Sequence, residues 1–76
     1  MKFGPSPPEK VIKAFSKVGF EAVRRKGSHV ILKHKDGRSA VVPFHKGEEI
    51  SSVFIKRITK EANLSEEELG IFLEEL

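Results

Sequence analysis

The segment Arg24-Arg25-Lys26-Gly27-Ser28-His29, followed closely by Lys33, His34 and Lys35, holds the residues best suited to chemistry. It sets an imidazole beside five cationic side chains, and no carboxylate interrupts the stretch from Arg24 to Lys35. An imidazole gains and loses a proton near neutral pH. Closely spaced guanidinium and ammonium groups suit phosphate oxygens. The combination points to a protein that grips a nucleic-acid backbone and is equipped to cut it.

Positioning these groups requires short strands. Phe20 to Arg25, His29 to Lys35 and Ser39 to Phe44 read as three of them, interrupted at Gly27 and at the hairpin signal Asp36-Gly37. Register follows from the pairing that gathers apolar residues on one face. A three-residue loop Lys35-Asp36-Gly37, with the glycine left-handed, puts Val30, Leu32, Ala40, Val42 and Phe44 together. A loop of Lys26-Gly27-Ser28 adds Phe20 and Ala22. The opposite face then carries Val23, Arg25, His29, Ile31, Lys33, Ser39, Val41 and His45, with Arg25 directly across from His29.

Helices flank the strands. Ser6 is the expected N-cap of a first helix, with Pro7 and Pro8 in its first turn and Glu9 near its positive end. Val11, Ile12, Phe15 and Val18 recur at helical spacing up to the stop at Gly19, and Lys10, Lys13 and Lys17 form a solvated ridge. A second helix is expected from about Ser52 to Ala62, with Phe54, Ile55, Ile58 and Ala62 inward and Lys56, Arg57 and Lys60 outward. Ser65 and Glu68 form a capping box that opens a last helix through Leu69, Phe72, Leu73 and Leu76. The order is α-β-β-β-α-α, an α+β fold with a three-stranded antiparallel sheet backed by helices.

Size and composition narrow the chemistry. Seventy-six residues suit one domain, 1–76, near the lower limit for a single apolar core, so any site must be shallow. Without cysteine there are no disulfides and no thiolate metal sites. No apolar run approaches the roughly 20 residues that span a bilayer. The start Met1-Lys2-Phe3-Gly4-Pro5 leads to prolines rather than a signal core. A cytoplasmic protein without a membrane partner is expected. The net charge of +3 hides a strong asymmetry. Residues 1–47 carry 11 Lys/Arg against 3 acids, and residues 48–76 carry 3 against 8. The basic part attracts polyanions.

These residues resemble a known family. A helix, Gly19-Phe20, Lys26-Gly27-Ser28-His29, the Asp36-Gly37 turn, Val42-Pro43-Phe44-His45 and Ile50 ahead of a helix are similar to the HicA toxins, also described as YcfA-like, over roughly residues 7 to 75. One departure is Ser51-Ser52, where a glycine often begins the following helix. The resemblance implies a fold like a double-stranded-RNA-binding domain and the toxin role in a type II toxin–antitoxin pair. It implies an mRNA interferase, that is, an endoribonuclease, restrained by a HicB-type antitoxin bound over the active surface. The histidine of the family's Gly-Ser-His motif falls on His29.

RNA supplies its own nucleophile, the 2′-hydroxyl, so cleavage requires proton carriers and positive charge rather than a metal. His29 is the candidate acid or base. Arg24, Arg25, Lys26 and Lys33 are candidates to hold RNA phosphate, and Ser28 and the Gly27 amide to position a phosphate oxygen. His45, water or a lysine is the second proton carrier. His34, at the strand end on the core side, reads as structural. A metal is not expected, because His29 and His34, five apart on a strand, point to opposite faces. A serine nucleophile is poorly supported, since Ser28 and His29 are consecutive and Glu21 lacks a third member. No small-molecule cofactor is implied. Two other readings remain: a non-catalytic RNA-binding module that holds phosphate through a solvent-facing His29, and an adaptor that binds protein through the Val23-Ile31-Val41 stripe.

Overall fold

The computed structural model describes residues 4–76; Met1, Lys2 and Phe3, read above as part of the lead into the prolines, lie outside them. The elements are α1 (Pro8–Ser16), β1 (Phe20–Lys26), β2 (His29–His34), β3 (Ser39–Pro43), α2 (Ser52–Glu61) and α3 (Glu66–Glu75). The strands form one antiparallel sheet in the order β1-β2-β3. This is the α+β arrangement and element order that the spacing predicts.

The β2–β3 hairpin has the expected three-residue loop. Leu32 pairs with Ala40 and Val30 with Val42, the His34 amide donates to the Arg38 carbonyl at 2.9 Å, and Gly37 sits at φ +98°. The helices pack on the face bearing Phe20, Val30, Leu32, Ala40 and Val42, all of them buried. Phe15 of α1 lies at the centre, edge-on to Phe20 at 5.2 Å and to Phe72 of α3 at 4.8 Å. Edge-to-face rings of this kind add to the stabilisation from burial itself.

Several expectations change. Ser6 does not cap α1. Its backbone exchanges hydrogen bonds with Ile50, at 3.0 and 2.7 Å, leaving Pro7 as the N-cap residue with no side-chain cap bond. Joining the N-terminal lead to the segment before α2 takes precedence over capping. Pro8, at the first helical position, has no N–H to satisfy. Ser51 caps α2 by accepting from the Phe54 amide at 3.2 Å, so a single serine hydroxyl starts that helix. Phe54 is not a core residue; it is 41% exposed, and Thr59 is buried instead, with Ile55, Ile58 and Ala62. The Thr59 hydroxyl donates to the Lys56 carbonyl at 2.8 Å, which removes the cost of burying it. Ala22 pairs with Leu32 as expected, yet stays exposed on the edge strand.

One polar cluster ties the far hairpin to the helices. The Arg38 guanidinium donates to both Glu68 carboxylate oxygens, at 2.7 and 2.9 Å, to Asp36 at 2.8 Å and to the Asn63 carbonyl at 3.1 Å. Glu68 also completes the predicted capping box with Ser65. The Arg38 hydrogen bonds, then that from the Ser65 amide, hold the Glu68 carboxyl down at about 2. Asp36 is lowered too, chiefly by its hydrogen bond from the Arg38 amide.

A carboxyl depressed in the folded state stabilises fully above its unfolded value and loses that contribution as pH falls through the folded one. Glu68→Gln keeps the cap and removes the charge. It is expected to melt below the parent at pH 7 and to converge with it as pH falls from about 4.5 toward about 2. Thermal unfolding across that range reads the difference, and a gap independent of pH contradicts the linkage. Phe72→Ala, which empties the place against Phe15, is expected to cost about 3–5 kcal/mol in urea unfolding.

Candidate RNA-cleavage site

The local structure around His29 is set by a conflict within one hairpin. At its open end Phe20 pairs with His34, Glu21 with Lys33 and Ala22 with Leu32, the register that buries Phe20. At its closed end the turn is tighter than the expected loop. Gly27 and Ser28 alone form it, with Gly27 at φ +60°, and Lys26 pairs with His29. Positive φ at the first position of a two-residue turn is the type II′ requirement that glycine meets without strain. The two registers differ by one residue, and a β-bulge between Ala22 and Arg24 absorbs the difference.

The bulge rearranges the cations. Arg25 does not stand across from His29; it pairs with Val30 and lies on the helix-side face. Its guanidinium sits 4.7 Å from the centroid of the half-buried Phe44 ring, and its Nε donates to the Gly27 carbonyl at 3.4 Å. Lys26 takes the place across from His29, and Arg24 comes to the outer face across from Ile31. Lys33 stands on that face between Glu21 and Ser39. Glu21, absent from the expected phosphate-binding group, stands across from Lys33 in the expected and the observed register alike.

His29 is exposed, between Lys26 and Pro43 across the sheet. It lines an open depression with Lys26, Gly27, Ser28, Ile31 and Val41. Among the described residues, no protein group hydrogen-bonds to its ring. The Ser28 carbonyl accepts from the Phe44 amide at 2.6 Å, which anchors the turn to the end of β3. The depression therefore brings together one ammonium group, two apolar side chains and the imidazole.

The other histidines lie elsewhere. His45 is exposed and lines a separate depression with Pro8, Pro43, Glu48, Glu49 and Phe54. Phe54, expected inward from its spacing, is instead that depression's exposed aromatic. His34 is on the core side, as expected: its ring is edge-on to Phe20 at 5.1 Å, and its Nδ1 accepts from the Asp36 amide at 3.1 Å. A side chain at Gly19 would begin 2.7 Å from His34 Nε2, so this glycine makes room for the ring. Among the described residues, no group of three or more His, Cys, Asp or Glu is arranged to hold a metal ion.

With this geometry in view, residues 8–64 match the family described as the HicA toxin of bacterial toxin-antitoxin. The chain belongs to that family. The matched span is 57 of the 76 residues; it contains Arg24, Arg25, Lys26, Gly27, Ser28, His29, Lys33 and His45, and ends before α3. Comparison with curated proteins found no match. As a HicA-family toxin, the chain is one component of a toxin–antitoxin system. Among the described residues, no helix is long and apolar enough to cross a membrane.

The two neighbouring cations should behave differently when removed. Arg25→Ala forfeits the stacking on Phe44 and is expected to lower stability by about 0.5–1 kcal/mol, the range for an exposed cation over a ring. Lys26→Ala is expected to leave stability unchanged. Equal losses in urea unfolding would show that the Phe44 contact contributes nothing specific.

Proposed function

We propose that this HicA-family chain is the toxin of a type II pair and acts as a metal-independent endoribonuclease on mRNA, with His29 as its principal proton carrier. The observation that carries this reading is the exposed His29 imidazole with Lys26 directly across the hairpin, at an open depression. In the proposed reaction the 2′-oxygen forms a bond to phosphorus as its proton leaves, and the bond from phosphorus to the 5′-oxygen breaks as that oxygen takes a proton. The products are a 2′,3′-cyclic phosphate and a free 5′-hydroxyl, so neither oxidant nor metal is consumed. His29 carries one of the two protons. Lys26 offsets charge that develops on the phosphoryl oxygens, with the Gly27 amide and Ser28 beside it. Arg24 and Lys33, on the same face, bind flanking phosphates; Arg25 has the lesser part, since its guanidinium is engaged with Phe44.

The second proton carrier is assigned to water or Lys26 ahead of His45, because His45 lines a different depression. The proposal takes the 76 residues as one cytoplasmic domain. It also includes inhibition by a HicB-type antitoxin covering the outer sheet face, where Val23 is 56% and Val41 46% exposed beside the cations. A contiguous apolar patch rimmed by polar residues marks a protein contact, and these side chains would form its centre.

A second reading has a specific observation in its favour. His29 has no orienting hydrogen bond among the described residues, as suits a non-catalytic RNA-binding module that recognises backbone and shape. Cleavage in EDTA separates the two. The parent is expected to fragment RNA, and His29→Ala to do so about 10²–10⁴-fold more slowly while still binding it. Lys26→Ala is expected to lose more activity than Arg25→Ala. Equal cleavage by parent and His29→Ala excludes His29 chemistry; binding without any cleavage by the parent selects the RNA-binding module.

A further inference from the structure

The C-terminal third, acidic overall, gathers all of its cations in one place. Lys56, Arg57 and Lys60 are its three Lys/Arg residues, and all three border a groove of about 520 Å³ between α2 and α3. Val53, Leu64 and Leu69 give that groove an apolar lining, and Val53 is 77% exposed. The groove is far in sequence from the His29 turn and shares no lining residue with its depression.

Helix α3 borders this groove and presents the opposite character. Glu67, Ile71 and Glu74 are exposed at spacings of four and three, so they share one helical face, and Gly70 is next to them on it. Gly70 is unexplained by the fold of one copy. Its backbone is not in the left-handed region that glycine serves, and a Cβ there would meet nothing within 4 Å. Glycine inside a helix weakens it relative to alanine, so the position forgoes stability without an internal packing reason. A missing side chain on an exposed helix face lets another backbone approach closely.

We propose that the α2–α3 side of this chain is a self-association surface. Helix α3 of one copy lies on the groove of a second, with Gly70 at the crossing and Glu67 and Glu74 against Lys56 and Lys60. Because α3 borders the groove, one two-fold axis returns the same contact in the other direction, as a closed dimer requires. Both complementary surfaces belong to this chain, which favours a second copy over an unrelated acidic partner. The apolar lining disfavours nucleic acid, whose backbone would leave Val53, Leu64 and Leu69 without a counterpart. The interface is small and its charges exposed, so association is weak and sensitive to salt.

Sedimentation of the His29→Ala chain over a wide concentration range tests this apart from the nuclease reading. The expected mass climbs from 8.5 kDa toward twice that value at low salt and returns in high salt. Lys56→Glu/Lys60→Glu and Glu67→Lys/Glu74→Lys should each stay monomeric, and their mixture should restore a mixed dimer. Gly70→Trp should block association, and Gly70→Ala should melt at a higher temperature yet associate less; circular dichroism verifies that each variant is folded. A parent that is monomeric at every concentration overturns the proposal, as does a dimer indifferent to both charge reversals and to Gly70→Trp. A monomer that takes up an acidic amphipathic peptide or an RNA oligomer through Lys56 and Lys60 also overturns it, and gives the groove to that occupant.

Discussion

The pairing of β1 with β2 must satisfy two requirements that no single register meets. Phe20 has to face Phe15 at one end, and the two-residue turn at Gly27-Ser28 has to close the other. The bulge between Ala22 and Arg24 reconciles them, and its position decides which cation accompanies the imidazole. With a regular ladder, Arg25 would face His29 and Lys26 would lie in the loop. The bulge instead turns Arg25 toward Phe44 and puts Lys26 across from His29. A bulge strengthens local twist and re-aims side chains, which is why such irregularities are common near functional sites.

The remainder of the molecule separates a packed sheet face from an open one. One sheet face is occupied by helices around Phe15, Phe20 and Phe72, and Arg38 locks the distant hairpin to the start of α3 through Glu68. That pair is only 21% and 24% exposed, and it links segments 30 residues apart. Among the described residues no helix covers the other sheet face, so Lys26, His29, Ile31, Lys33 and Val41 are left open to solvent there. In so small a chain this division is forced: there is one sheet, and only one of its faces can be covered by three short helices.

The family match extends over residues 8–64 and therefore includes the turn, the sheet and α2. It leaves out α3, whose acidic face and unexplained glycine are the features behind the inferred self-association. Helix α3 nevertheless contributes Phe72 to the core, so it is integral to the fold as well as exposed on its far side.

Element order, the β2–β3 loop and the capping box at Ser65 were legible in the sequence, because each depends on nearby residues. Alternation over a few positions places Leu32 and Val42 inward, and Ser65 finds Glu68 within one helical turn. The departures from local spacing have a different origin. Ser6 was drawn from capping by Ile50, 44 positions away; Phe54 gave up its inward place to Thr59; and Arg25 was turned aside by a bulge. Local spacing could specify the Gly27-Ser28 turn or the Phe20 register, but not that both hold at once. Only packing of the whole chain, in which burying Phe20 and closing the turn are satisfied together, decided that Lys26 faces His29.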